Sequence, residues 1–337
     1  MARYQLASVA SWITAACIQH PHDLPAHVMQ RLSIPRSAAN GLLKKLVAGQ
    51  WLVNQGTPRK PLYVPGALRQ VVQQYALNGL LEDLPWRRDF APYLALPTEV
   101  RRMAQHAFTE LVNNAVDHSG GTTVTVSIRQ TPLHLQLLVS DDGCGLFNRI
   151  AQSFDITDPT LALFEISKGK LTSAPDRHSG HGLFYSSRLA DVLDLHANSA
   201  AFQYRGWGGR SWHATRSAPH TGTSIYMAIA LDTTRTLDEV LRGQSDGGYS
   251  YGFERTRVPL RLLSVDDALA SRADAKRVAA RLTQFGTAEI DFTGVERVGH
   301  SFADELFRVF SRDNPQLQLV PLGMNPQVAQ MVQGLAA

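Results

Sequence analysis

The tightest constraint on this chain lies between residues 108 and 147, where a helix-period segment gives way to two strand-period ones. Residues 109–121 read TELVNNAVDHSGG. Phe108, Leu111, Ala115 and Val116 recur at helical spacing and call for burial, while Glu110, Asn113, Asn114, Asp117 and His118 crowd the rest of the helix. Two adjacent Asn have poor helix propensity, so something other than helix stability must account for them. TTVTVSIRQ (122–130) and LHLQLLVS (133–140) follow, each alternating apolar and polar positions, and then DDGCGLF (141–147).

Three later features add chemistry. Asp141 ends a strand and is followed by Gly143 and Gly145, which suits a flat heterocycle: the carboxylate can accept from an exocyclic amine, and the glycines let the backbone approach the ring. HSGHGLFYSSRLAD (178–191) places Gly180, His181 and Gly182 at the start of an apolar helix, where free N–H groups and the helix dipole receive phosphate. TGTSIYMAI (221–229) puts Gly222 and Thr223 on a strand with a hydroxyl available. Each signal alone is weak, and their order makes them specific.

Residues of roughly 90–232 resemble the GHKL superfamily, the Bergerat-fold ATPases of gyrase, chaperone, mismatch-repair and histidine-kinase proteins. The resemblance implies ATP and Mg²⁺ as cofactors. Glu110 and Asn114, one turn apart on one helix face, would form the first box. Asn114 would ligate Mg²⁺ through its amide oxygen, and Glu110, the catalytic candidate, would orient or deprotonate the attacking hydroxyl or water. Asp141 would read adenine, with Gly143 and Gly145 shaping its pocket. Gly180 and Gly182 would hold phosphates, with His181 between them, and Thr223 would support the Asp141 contact through water. Residues 148–179 would be a lid, from which Lys168, Lys170 or Arg177 could reach the γ-phosphate. His118, His178 and His181 lack metal-ligand spacing and read as loop or cap residues.

Charge is unevenly spread. The formal net charge is +4, yet residues 1–70 hold eight Lys or Arg and a single acid, Asp23, leaving a net −3 on the remainder. A basic end on a mildly acidic body points to a polyanion partner. SVASWITAACIQH, PAHVMQRLSI and SAANGLLKKLVAGQ read as three helices, the third capped by Ser37, and WLVNQGTPRKPLYVPG (51–66) reads as a hairpin with a basic tip. Residues 1–66 resemble the winged helix-turn-helix family, which implies double-stranded DNA as partner. The contacts would come from Arg36, Ser37, Asn40, Lys44 and Lys45, with Arg59 and Lys60 from the wing.

Residues 67–89 read as a connecting helix and 241–254 as a Gly/Ser-rich linker. Beyond it a β-α-β-α-β-α alternation fills 255–337, a small mixed domain. AEIDFTGVERVGHSFADELFRVF (288–310) resembles the STAS-like family of unknown function found fused to such ATPases, implying a protein partner through this domain. Ser301 occupies the place of a STAS phosphosite without its flanking Asp and Gly, and with Asp304 it reads as a capping box.

The expected fold class is therefore multidomain α/β: an N-terminal winged helix (1–66), a central two-layer Bergerat sandwich (90–240) and a C-terminal small β-α-β STAS-like domain. The absence of His in 67–100 removes the phosphoacceptor of a sensor histidine kinase. The leading reading is an ATP-responsive DNA-binding transcriptional regulator, in which ATP shifts the balance between two arrangements through the lid and linker. An anti-sigma-type Ser/Thr kinase acting on a STAS domain and a DNA-stimulated ATPase in defence or DNA transactions are the alternatives. A homodimer is a further expectation, since one winged helix covers only a short half-site. No apolar run is long enough to cross a bilayer, no signal-peptide pattern opens the chain, and two distant cysteines suit a reducing cytoplasm.

Overall fold

A computed structural model of the chain describes residues 6–57, 59–81, 83–171, 180–207, 211–215, 218–245, 251–263 and 268–334. It divides into two compact units, residues 1–143 with 222–234, and residues 144–221 with 235–337.

The first unit begins with helices Leu6–Gln19, Leu24–Leu32 and Arg36–Ala48, followed by an antiparallel pair, Leu52–Asn54 with Tyr63–Pro65. Val9, Ile13, Leu24, Val28, Leu43, Leu46 and Leu52 form its closed apolar core. The Asn54 side chain builds the hairpin turn by accepting from the N–H groups of Gly56 (3.0 Å) and Leu62 (3.1 Å). The third helix starts at Arg36 after Pro35, so Ser37 lies inside the first turn and is not the expected cap. Pro35, with its fixed φ and extended ψ, ends the preceding turn and lets the helix begin one residue sooner.

The expected connecting helix over 67–89 is instead a strand, Arg69–Ala76, followed by short helical turns from Asp83 to Tyr93. Val71, Val72 and Tyr75 suit a pleated surface, and pairing with Thr123–Gln130 decides in favour of the ladder. The ladder continues antiparallel through His134–Asp141 to His220–Ala230. The first helix packs along the strand Arg69–Ala76, and the Gln70 N–H donates to the Thr14 hydroxyl at 3.1 Å. Arg129 of the sheet lies over the Trp51 ring at 5.4 Å.

Helix Thr98–His118 covers this sheet with Val100, Met103, Ala104, Ala107, Phe108, Leu111, Val112 and Ala115, while Val116 is only half-buried. Trp86 and Phe90 each pack a tilted ring on Phe108 at 5.5 Å between centroids. Burying a side chain such as Phe108 contributes about 1.5–3 kcal/mol, so the aromatic trio anchors the helix.

In the second unit, helices Leu146–Phe154, Pro159–Lys168 and Gly182–Leu189 precede an antiparallel meander, Val192–Asn198, Ala200–Arg205 and Ser211–Thr215. Three parallel strands, Arg255–Pro259, Thr287–Asp291 and Gln318–Leu322, pair in that order, with helices Arg272–Ala279, the continuous run 300–313 and Pro326–Gln333 between and after them. Phe164, Phe184 and Tyr185 share one core with Phe253, Val258, Phe285, Ile290 and Phe302. Phe253 belongs to the segment expected as a linker, yet it is a core residue with 6% exposure. Residues 246–250 of that segment lie outside the described residues. The helix Pro159–Lys168 is likewise buried from Ala162 to Lys168, so this part of the expected lid is built into a core.

Ser301 is not an N-cap. The helix starts at His300 after Gly299, whose φ of −82° and ψ of 152° are those of the capping position, and Ser301 is exposed in the first turn. Asp304 bonds Arg308 one turn on, at 2.9 Å, in place of a capping box.

Candidate nucleotide site

The long helix places Glu110 and Asn114 on the same face, both half-buried. Its end is tied down by Ser119, whose hydroxyl donates to the Ala115 carbonyl at 2.6 Å and accepts from the Gly121 N–H at 3.0 Å. Gly143 presses on this turn: a Cβ there would lie 2.3 Å from the Ser119 carbonyl oxygen. The close approach of backbone to backbone is what the glycine permits.

The Asp141 carboxylate accepts at Oδ1 from the Gly143 N–H (2.9 Å) and from the Thr223 N–H (3.2 Å). Gly222 makes the second bond possible. Its φ is +78°, and a Cβ would fall 2.0 Å from the Asp141 carbonyl oxygen. The Thr223 backbone thus supports the Asp141 carboxylate directly. The neighbouring carboxylate does different work. Asp142 accepts from the N–H groups of Thr122 (2.7 Å) and Thr123 (2.9 Å) and from both their hydroxyls. Those bonds, the Thr123 N–H foremost, hold its carboxyl well below the usual carboxylate range. Of the two adjacent acids, Asp142 closes the sheet end, and Asp141 is the one aligned with the glycines.

The second unit holds the other expected residues. Gly145 caps helix Leu146–Phe154 with φ +84°, and a Cβ would meet the Asn198 side chain at 2.5 Å. Asn198 itself has φ +56°, donates to the Cys144 carbonyl at 2.9 Å and accepts from the Asn148 N–H at 3.2 Å. It organises the glycine turn, and sequence reading missed it. The available signal was an Asn in the tight turn after a strand, a residue that tolerates the left-handed region.

Gly180 adopts φ +71°, with space for a Cβ removed by the Leu171 backbone at 2.7 Å. His181 and Gly182 begin the helix Gly182–Leu189. The His181 ring stacks on Phe253 at 4.2 Å, and burial followed by the Lys170 ammonium pulls its pKa down to about 4. His181 is therefore a neutral, packed ring near neutral pH.

The two lysines are placed differently from expectation. The Lys168 ammonium is fully buried and donates to Glu165 Oε1 (2.7 Å) and to the carbonyls of Ala280 (2.8 Å) and Arg277 (3.4 Å). Glu165 pairs on its other side with Arg281 at 3.2 Å. Burial lowers the Lys168 pKa to about 8, against the upward pull of Glu165. These donors are already spent on protein acceptors, which corrects the expectation that Lys168 contacts phosphate. The Lys170 ammonium donates to the Gln284 carbonyl at 2.6 Å and lies over the Phe285 ring at 4.6 Å, which holds it at the surface of the C-terminal domain. Arg177 and His178 fall outside the described residues.

Among the described residues no group of three or more His, Cys, Asp or Glu side chains is placed to hold a metal. One amide oxygen together with phosphates and waters suits Mg²⁺, and Asn114 can supply the amide. Gly143 and Gly222 let the backbone pack against Ser119 and Asp141, where a Cβ would lie at 2.3 and 2.0 Å, and so fix the turn that holds the Asp141 carboxylate, the acceptor that the exocyclic amine of a base would need.

Residues 99–233 match the family model of histidine kinase-, DNA gyrase B- and HSP90-like ATPases, and residues 274–329 match that of a STAS-like domain of unknown function. No curated protein matches the chain. The chain thus carries an ATPase domain of this type, which implies ATP binding, together with a STAS-like domain, a combination that fits an ATP-binding regulatory protein. Among the described residues no helix is long and apolar enough to cross a membrane.

Proposed function

We propose that the chain is an ATP-responsive transcriptional regulator that binds double-stranded DNA through an N-terminal winged helix in a reducing cytoplasm. One observation carries the DNA reading. Arg36, Ser37, Asn40, Lys44 and Lys45 are all exposed on or beside the helix Arg36–Ala48, Arg59 and Lys60 are exposed at the hairpin tip, and none of the five basic residues of this set forms an ion pair among the described residues. Ser37, Asn40 and Lys44 share a face, the side that would enter a major groove. Seating of the first helix on the strand Arg69–Ala76 joins this module to the sheet that ends in Asp141, a physical route by which nucleotide could bias DNA binding.

In the nucleotide site Asp141 would accept from the adenine amine, Glu110 would hold or take the proton of the attacking hydroxyl or water, and Gly180 and Gly182 would present N–H groups to phosphate. Mg²⁺, held by Asn114, would neutralise phosphate charge. Pairing of two chains would place two winged helices on adjacent half-sites.

Fluorescence anisotropy of the full chain on labelled duplex, with and without a non-hydrolysable Mg·ATP analogue, tests the proposal. The analogue is expected to change duplex affinity, and K44A/K45A to weaken it and flatten the slope of log K against log salt by about 2. Equal binding by K44A/K45A at low salt would end the DNA reading, and no effect of the analogue on the wild type would end the coupling.

A second reading, a Ser/Thr kinase acting on a STAS domain, draws on the exposed position of Ser301 in the first turn of its helix. Transfer of labelled γ-phosphate that both E110A and S301A abolish would favour it over the regulator.

A further inference from the structure

The sheet of three parallel strands presents alternate residues to one side. Arg255 and Arg257 stand there on the first strand and Glu289 on the second, with Arg255 Nη2 donating to Glu289 Oε1 at 2.8 Å. Arg257 Nε donates to Asp291 Oδ2 at 3.0 Å. Facing them is Arg188, in the last turn of the helix Gly182–Leu189. Together with Gly243 and Gln244 these side chains enclose a cavity of about 150 Å³. The Gln244 carbonyl accepts from the N–H groups of Glu254 (2.9 Å) and Arg255 (2.8 Å), which fixes the loop against the start of the strand.

The charge balance of this cavity is unusual. Three guanidinium groups line it against the single carboxylate of Glu289. Asp291 satisfies one edge of Arg257 from a buried position, so among the described residues one net positive charge remains uncompensated. That charge is best assigned to Arg188. Its guanidinium lies over the rings of Phe184 (4.6 Å) and Tyr204 (5.4 Å) and has no hydrogen-bond or ion-pair partner among the described residues. These contacts hold the guanidinium against the rings, while its N–H groups have no acceptor among the described residues. A preorganised guanidinium in a polar recess, flanked by two more, matches the geometry of a tetrahedral oxyanion. Arg188 lies six residues beyond Gly182, about 9 Å along the helix axis at 1.5 Å per residue, so the cavity is at the end away from the glycine turn.

We infer that this cavity is a binding site for a phosphate-sized oxyanion, held by Arg188, Arg255 and Arg257 and opposed by Glu289. The anion would bridge the helix that follows the glycine turn and the first strand of the C-terminal domain. The chemistry is shared by inorganic phosphate and by the phosphate end of a small phosphomonoester, and the volume accommodates either.

Isothermal titration calorimetry of the full chain, presaturated with a non-hydrolysable Mg·ATP analogue, tests the site with inorganic phosphate in one arm and a short alkyl phosphate in the other. Saturable binding of at least one probe is expected. Tighter binding of the alkyl phosphate would identify an organic phosphomonoester as the ligand, and tighter binding of phosphate the free anion. R188Q should weaken it about tenfold through loss of a charge-assisted contact. E289Q should tighten it severalfold, a gain that misfolding could not produce. Analogue binding by both variants, measured in the same cell, reports the integrity of the fold. The inference is overturned if neither probe binds the presaturated wild type, if R188Q binds as the wild type does, or if E289Q shows no gain.

Discussion

The burial of Lys168 has a consequence for stability whose sign follows from its pKa. The ammonium is 0% exposed, and its pKa falls from 10.5 to about 8 because burial penalises the charged form more than Glu165 favours it. Below pH 8 the side chain is protonated in both the native and the unfolded chain, and the native state bears the full penalty. Between about 8 and 10.5 the native chain releases this proton while the unfolded chain keeps it. The unfolded state then binds more protons, so stability rises with pH across that window, by up to about 1.4 kcal/mol per unit and on the order of 3 kcal/mol in all. Lys168→Met removes the titrating group at similar length, and Glu165 keeps its pairing with Arg281 at 3.2 Å. Removing one partner of a buried pair is destabilising in itself, by about 3–5 kcal/mol where the remaining charge is left uncompensated, so the comparison rests on how the difference changes with pH and not on its size at one pH. Urea midpoints followed by far-UV circular dichroism from about pH 7 to 10.5, taken as the difference between wild type and K168M, isolate the term from other titrating groups such as Tyr185. The difference should move in favour of the wild type as pH rises. Parallel curves would refute the assignment. At about pH 7 the variant should bind a Mg·ATP analogue within about threefold of the wild type, and a loss above about tenfold, or 1.4 kcal/mol, would return Lys168 to the phosphates.

Asp141→Asn should weaken nucleotide binding by one to two orders of magnitude, about 1.5–3 kcal/mol for a charge-assisted contact, while Asp142→Asn should lower thermal stability and spare affinity; calorimetry with the analogue checks both, and equal affinity losses would contradict the division between the two acids. Because the Asp142 carboxyl is held below the usual range, its clamp on Thr122 and Thr123 contributes stability above the unfolded carboxylate pKa that disappears only as pH falls well beneath it, and acid titrations of wild type and D142N should diverge upward from that point. Gly222→Ala combines a clash with the Asp141 carbonyl and a left-handed φ, at about 1–2 kcal/mol for the backbone alone, and analogue affinity should fall with it; a variant of wild-type affinity would show that the Thr223 N–H does not position Asp141.

Much of this architecture was legible because its signals are local. The helix Thr98–His118 and the two strands after it declare themselves by changing period. The strands Thr287–Asp291 and Gln318–Leu322 and the C-terminal helices fall near where their apolar patterns place them, whereas the apolar run 258–263 leaves the strand Arg255–Pro259 after Pro259 and turns over Leu260–Leu262. The segment Arg69–Ala76 failed for a reason that is not local: its apolar residues satisfy both helical and strand spacing, and the vacant edge of Thr123–Gln130 decides between them. Lys168 reads as an ordinary charge at a helix C-terminus. Its acceptors are the carbonyls of Arg277 and Ala280, 109 and 112 residues away, and no spacing rule reaches that far. Gly145 was visible, but the Asn198 side chain that shapes its turn lies 53 positions on, at the end of the strand Val192–Asn198.

The supposed linker marks the deepest difference, and it alters how regulation has to be conceived. A flexible joint at 241–254 would let the C-terminal domain act only by colliding with the ATPase module. Instead Phe253 packs between His181 and Phe285, at 4.2 and 5.8 Å, within a core that includes Phe164 and Phe184. Gly169, which ends the helix of Lys168, has φ +80° and room for no Cβ because the Phe253 ring lies 2.6 Å from where one would stand. The glycine turn at 180–182 and the C-terminal domain are therefore two surfaces of one packed body, and close-packed interiors transmit displacement rather than absorb it. A ligand that shifted the strand Arg255–Pro259 would have to move Phe253 or strain it, and with Phe253 the ring of His181 that precedes the helix Gly182–Leu189. Under the proposed coupling, the energy available would be bounded by a ligand's differential affinity for two packings of this aromatic cluster.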